Sequence, residues 1–137
     1  MNICKMIKPY NSSENKKKEI KKMFNNIAKS YDTLNRILSL GIDIWWRKKA
    51  VKQLNNPKKI LDIATGTADF AISAAKNTNA SIIGIDISDN MLEIGEKKIK
   101  KLNLENRIIL KLGDAEETNF QENSFDAITI GFGVRNL

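Results

Sequence analysis

Two rhythms of apolar and polar positions divide the chain, and they change over near Lys59. Upstream the period is helical. From Glu14, Ile20, Met23, Phe24 and Ile27 fall on one face and lysines on the other. The segment Tyr31 to Leu38 continues the pattern with Leu34, Ile37 and Leu38. Gly41 is expected to close it as the first residue past the helix, where a left-handed backbone favours glycine. Asp43 is expected to cap a further helix carrying Trp45, Trp46, Ala50, Val51 and Leu54, which Asn55-Asn56-Pro57 ends. Residues 1–13 show no periodicity.

Downstream, short apolar runs alternate with amphipathic stretches. The runs predict strands at about residues 59–64, 81–86, 107–112 and 125–130. Helices are predicted at about residues 69–77, capped by Asp69, and about 89–101, capped by Ser88 or Asp89. Such alternation predicts an α/β fold with a parallel, doubly wound sheet. A helical lobe, residues 1–57, precedes a partial sheet domain, residues 58–137, within one domain overall. The alternation stops after the fourth strand. The sheet is therefore expected to be truncated there, with that strand left as an apolar edge.

The first strand, helix and second strand form a β-α-β unit with candidate chemistry at its strand ends. Strand one runs into the tight turn Thr65-Gly66-Thr67, and Asp86 ends strand two, twenty residues after Gly66. A carboxylate at that tip can accept hydrogen bonds from both hydroxyls of a ribose. The turn lacks the extra glycines of a pyrophosphate loop, since Ala64 and Ala68 flank Gly66. That favours S-adenosyl-L-methionine, which carries adenosine and a cationic sulfonium but no phosphate, over a nicotinamide dinucleotide. Asp62, Asp69, Asp86 and Asp114 supply acidic surroundings for the cation. The plainer alternative is an α/β domain whose glycine only closes a turn.

Composition removes several chemistries. The chain of 137 residues has no histidine and one cysteine, Cys4, so neither a disulfide framework nor a thiolate metal site is expected, and no metal is assigned. Acid–base work falls to Asp, Glu, Tyr, Lys, Arg or water. No apolar stretch approaches the roughly 20 residues that span a bilayer, and the N-terminus lacks a signal-like apolar core, so a cytoplasmic location is expected. Charge is uneven. Residues 1–59 carry 15 Lys+Arg against 4 Asp+Glu, whereas residues 60–137 carry 8 against 12. The basic lobe reads either as a solvated lysine face or as a surface for peripheral contact with an anionic membrane or nucleic acid.

Several segments together resemble one family. They are Met23 to Asn35, Leu38-Ser-Leu-Gly41, Trp46-Arg47, Gly66-Thr-Ala-Asp69, Asp86-Ile-Ser88, Asn90-Met-Leu92 and Gly131-Phe-Gly-Val-Arg-Asn136. On these the chain resembles the ubiquinone/menaquinone biosynthesis C-methyltransferase family over roughly residues 20–137. The resemblance implies a Rossmann-like sheet of the class I methyltransferase type, missing its C-terminal third. It implies methylation of a ring carbon on a lipophilic, prenylated quinol, with S-adenosyl-L-methionine as donor. Carried over by position, Thr67 lies in the cofactor loop, Asp86 holds the ribose, and Asp114 and Ala115 contact adenine. Asp114 can equally be a turn former after Gly113.

Within that reading, Arg135 is the candidate to stabilise a phenolate, Asn136 to hold a quinol oxygen, and Tyr31 with Asn35 to close over the ring. Ordinary roles compete: Arg135 as a surface ion-pair partner and Tyr31 as a core residue. Of the adjacent Trp45 and Trp46, one is expected in the core and the other toward lipid. Two other functions stay open, a nucleic-acid methyltransferase or RNA-binding domain and a non-catalytic remnant. A nucleic-acid enzyme would carry an Asn-Pro-Pro-aromatic or RNP motif after strand four, where Gly131 to Asn136 stands instead, so no nucleic acid is expected as partner. Nothing in the chain sets an oligomeric state, or separates a menaquinone from a ubiquinone precursor; the overall resemblance leans to demethylmenaquinol.

Overall fold

The computed structural model describes residues 13–131. Two helices, α1 (Ser13–Ser39) and α2 (Ile42–Lys52), lead into β1 (Lys59–Ile63), α3 (Asp69–Asn77), β2 (Ser81–Asp86), α4 (Asp89–Lys101), β3 (Ile108–Leu112) and β4 (Ala127–Ile130). The strands pair in parallel in the order β3-β2-β1-β4. Strands are thus added first to one side of β1 and then to the other, and a crevice opens at the carboxyl ends of the strands at that switch.

Register explains the core. Ile108, Ile82, Ile60 and Ala127 lie in one row across the sheet. They pack with Ala71, Ala74 and Ala75 of α3, Ile99 of α4 and Val51 of α2. The alanines let α3 sit close to β-branched strands, as interior packing density requires. On the opposite face the next row is Ile109, Ile83, Leu61 and Ile128, with Ile109 and Ile128 more than half exposed at the edges.

Three expected helix ends are corrected. At the end of α1 it is Leu40 that takes the first left-handed position (φ 52°), with Gly41 (φ 80°) one place beyond. The N–H of Gly41 donates to the carbonyl of Arg36 and that of Leu40 to Ile37, which closes the helix in a Schellman arrangement. Asp43 does not cap α2, whose N-cap is Gly41 without a side-chain bond. Arg47, one turn later, draws the Asp43 carboxylate back along the helix, and Ser39 donates to its other oxygen at 2.7 Å. Asp69 does not cap α3 either. Ala68 stands at that N-cap in a left-handed conformation, because Lys98 and Arg47 both claim the Asp69 carboxylate. Ser88 caps α4, its hydroxyl accepting from the Met91 N–H at 3.3 Å.

The lobe lies against the sheet domain through a polar stripe. Asn25, Ala28, Asp32 and Asn35 recur on one face of α1. The Ser88 hydroxyl donates to Asn25, Ala28 is buried, and Asp32 reaches Thr67 and Lys98. Ile20 and Phe24 turn toward the crevice, while Met23 is about half exposed.

Candidate active site

The turn after β1 is built from three left-handed residues, Ala64 (φ 53°), Gly66 (φ 57°) and Ala68 (φ 65°). Two of these carry a methyl where glycine would be free of strain, at a cost of about 1 kcal/mol each. The backbone thus curls as a glycine-rich loop does, but with methyl groups on its flanks. Gly95 of α4 makes room for it. A Cβ there would stand 3.1 Å from the Ala68 Cβ and 3.2 Å from the Thr67 carbonyl carbon.

Asp86 is joined directly to that turn. One carboxylate oxygen accepts the Gly66 N–H at 2.8 Å and the other the Ser88 N–H at 2.9 Å. Burial pushes its carboxyl above the usual carboxylate range, partly countered by these backbone donors. Each oxygen keeps a lone pair, so the carboxylate is aimed and ready for a vicinal diol.

Asp62 lies beneath, 1% exposed, yet on the wall of the same crevice. The hydroxyls of Thr65 and Thr129 donate to its two oxygens at 2.6 and 2.7 Å. Desolvation raises its pKa to about 6 against the pull of both threonines. Asp114, after β3, accepts the Glu116 N–H at 3.0 Å and pairs with Lys17 of α1 at 2.7 Å. Lys17 holds its carboxyl below the usual range. It thus forms a turn, as one reading of the sequence has it, while also lining the crevice beside Ala115.

Thr67 spends its hydroxyl on a cluster that the sequence reading did not anticipate. It donates to Asp32 and accepts from Lys98 Nζ at 3.1 Å. Lys98 also pairs with Asp32 at 2.7 Å and with Asp69. Arg47 bridges Asp69 at 2.7 Å to Asp43. Burial works against the Asp69 charge, but Lys98 and Arg47 together hold its carboxyl below the usual range. Asp69 therefore answers two cations of the protein as well as facing the crevice. The only sequence signal for this cluster is the polar stripe of α1, which places Asp32 one turn beyond buried Ala28.

The crevice, about 210 Å³, has two unlike sides. One is the acidic set of strand ends. The other comes from the lobe and α3, with Phe24, Tyr31, Asn35, Trp46 and Phe70. Phe24 and Tyr31 meet edge to face at 6.1 Å, and Trp46 leans on Phe70 at 6.2 Å. Trp45, its neighbour, is exposed. Gly131, which follows β4, also lines the crevice. Arg135 and Asn136 lie outside the described residues.

A sequence model described as the ubiE/COQ5 methyltransferase family matches residues 11–137. The chain belongs to that family. Among its relatives, the demethylmenaquinone methyltransferase of Bacteroides fragilis is 46% identical over 134 residues, 96% of this chain and 55% of that protein. The ubiquinone/menaquinone biosynthesis C-methyltransferase UbiE of Geobacter sp. (strain M21) is 48% identical over 126 residues, 89% and 54%. The chain spans about 55% of the length of such curated relatives. In fold it is similar to a solved S-adenosyl-L-methionine-dependent methyltransferase from Methanococcus maripaludis, with TM-score 0.73 and 24% identity over 95% of this chain and 55% of that one. It is also similar to the Haemonchus contortus phosphoethanolamine N-methyltransferase 2 solved with S-adenosyl-L-methionine, with TM-score 0.55 and 28% identity over 63% and 21%.

The family's cofactor, S-adenosyl-L-methionine, fits what the crevice offers. Asp86 suits its ribose, the walls after β3 suit a flat base, and Asp62 with Asp86 suits a cation. The methyl-flanked turn suits a ligand that brings no phosphate close to bare backbone.

Proposed function

We propose that this chain forms the cofactor half, and much of the acceptor pocket, of an S-adenosyl-L-methionine-dependent C-methyltransferase acting on a prenylated quinol, demethylmenaquinol in particular. The supporting observation is the two-sided crevice, with strand-end carboxylates facing an aromatic wall of Phe24, Tyr31, Trp46 and Phe70. The choice of acceptor follows the names of the relatives.

The bound sulfonium supplies an electrophilic methyl group, so the protein's work is largely positioning. Asp86 would hold the ribose and Asp114 with Ala115 the adenine. The aromatic wall would receive a flat ring and exclude water. Tyr31 and Asn35 are set to hold a ring oxygen. The ring carbon becomes nucleophilic when a neighbouring hydroxyl loses its proton, which water or a carboxylate lining the crevice can accept. Arg135 and Asn136 are assigned from the sequence to steady the resulting phenolate.

Calorimetric titration of S-adenosylhomocysteine into the wild type and Asp86→Ala tests the cofactor assignment. Losing two charge-assisted ribose bonds costs about 2–4 kcal/mol, roughly a 30- to 700-fold weaker affinity. Asp86→Asn, which keeps one acceptor, should fall between. Equal affinities would sink the assignment. Transfer of labelled methyl from S-adenosyl-L-methionine to demethylmenaquinol, with RNA as the competing acceptor, tests the substrate; label in RNA alone would reverse the choice.

A further inference from the structure

The loop between α1 and α2 carries a surface that the crevice does not use. Ile37, Leu38, Leu40, Ile42, Ile44 and Trp45 are each between 51% and 87% exposed, within nine consecutive positions. Single exposed apolar residues are ordinary, but six together at one helical corner are not. Leu40 is the most exposed of them and stands at φ 52°. A branched side chain in a left-handed position is strained where glycine would be free. Strain plus full exposure is a poor bargain for folding alone, and it points to a use for that side chain.

The charges around the corner have one sign. Arg36, Lys48, Lys49 and Lys52 are exposed about it. Between Thr33 and Lys52 the one acidic residue, Asp43, is buried and paired with Arg47. Lys49 lays its ammonium 5.0 Å from the centre of the Trp45 ring. This is the arrangement of an interfacial anchor, with an apolar tip, an amphipathic indole and a collar of long cations. No helix among the described residues is long and apolar enough to cross a membrane. The same two helices turn Tyr31, Asn35, Trp46 and Arg47 into the crevice.

We propose that the α1–α2 corner docks on an anionic lipid bilayer, with Leu38, Leu40 and Trp45 among the acyl chains and the lysine collar at the headgroups. Ile20 and Phe24 of the lobe face the crevice, whereas the corner with Trp45 stands exposed. The quinol reading gives the docking its purpose, delivering a lipophilic acceptor to a crevice lined by the same two helices. Vesicle binding is read without cofactor or turnover, so the two can fail separately.

The test is co-sedimentation with vesicles of phosphatidylcholine alone and of phosphatidylcholine with phosphatidylglycerol, at low and high salt. Each cation beside an anionic surface multiplies binding about fivefold, so Lys48→Gln, Lys49→Gln and Lys52→Gln combined should weaken it about 100-fold at low salt. Leu40→Gly is the decisive variant. Relief of strain should leave its thermal midpoint equal to or above wild type, while its binding to anionic vesicles falls at least several-fold. Wild-type binding by Leu40→Gly, or no preference for anionic vesicles at low salt, overturns the proposal. So does a dimer that Leu40→Gly dissolves in a chain that ignores vesicles, because a second copy would then be the occupant.

Discussion

Replacing Asp62 by asparagine should stabilise the protein at neutral pH and cost it slightly in acid. Asp62 is 1% exposed and its two oxygens accept from the hydroxyls of Thr65 and Thr129. Two neutral donors do not offset the loss of water around a full charge, so the carboxyl titrates at about 6 rather than at its ordinary 3.8. Between those values the folded chain holds a proton that the unfolded chain has released. Stability therefore falls as pH rises through this window, and the stabilisation is complete only below the unfolded value. At about 1.36 kcal/mol per pH unit, the interval from 3.8 to about 6 amounts to about 3 kcal/mol. Asparagine carries no charge, keeps an oxygen for one threonine and offers an amide to the other, at a cost of about 1 kcal/mol for imperfect pairing. The net gain at about pH 8 should be about 2 kcal/mol, turning into a loss of about 1 kcal/mol at about pH 3.

Urea unfolding of both proteins across that range measures the difference. A gap between them that does not change with pH would refute the reasoning, because it would mean that Asp62 does not titrate within the fold. The site offers a second reading of the same charge. A cation in the crevice favours ionised Asp62, so S-adenosyl-L-methionine should bind more tightly as pH rises through about 6. S-adenosylhomocysteine, whose sulfur is neutral, should show a smaller change, and Asp62→Asn should flatten both.

Two further outcomes follow from the loop's supports. Lys98→Met leaves Asp32 and Asp69 without their shared cation; since the Lys98 side chain is 26% exposed, the cost should be about 1–3 kcal/mol rather than the full buried-pair penalty, with several-fold weaker S-adenosylhomocysteine binding, and Lys98→Arg should recover most of both in urea unfolding and calorimetry. Gly95→Ala places a methyl 2.8 Å from Leu110 Cδ1 and 3.2 Å from the Thr67 backbone, so its gain in helix propensity should be outweighed by about 1–2 kcal/mol of strain, with weaker cofactor binding as the readout that separates a shifted loop from mere overpacking.

Much of the sheet domain was legible because buried parallel strands leave unmistakable apolar runs. Ser81–Asp86, Asp69–Asn77 and Asp89–Lys101 stand where the pattern puts them. The spacing put Asp86 at the tip of the second strand, and the structure adds a direct hydrogen bond from the Gly66 N–H. What stayed hidden depended on partners distant in sequence. Asp69 looks like a cap locally, but Lys98, twenty-nine residues on, takes its carboxylate. Asp32 is marked only by the polar stripe of α1, and Lys98 is lost in a run of lysines. The apolar stripe of α1 marked a helix, but not that the face meeting α4 would be polar, through Asn25 and Asp32. The left-handed Ala64 and Ala68 were illegible for a simpler reason, since alanine gives no hint of a positive φ.

A polar contact between lobe and sheet has a physical rationale. An apolar interface tolerates sliding, because burial depends on area and little on direction. Asp32, Lys98, Asp69, Arg47 and Asp43 alternate in sign across α1, α4, α3 and α2. Moving the lobe by one helical turn would set like charges together or strand one from its partner. Such pairs contribute modest net stability when a quarter exposed, yet misaligning them costs several times more. The cluster thus adds a register to the apolar contacts that seat α2, where Val51 enters the core and Trp46 leans on Phe70. Phe24, Trp46 and Phe70 also line the crevice. Leu38, Leu40 and Trp45 stand exposed at the corner. The two ends are tied through the same charges, for Ser39, next to Leu40, holds Asp43, and Lys98 holds Thr67 of the cofactor turn.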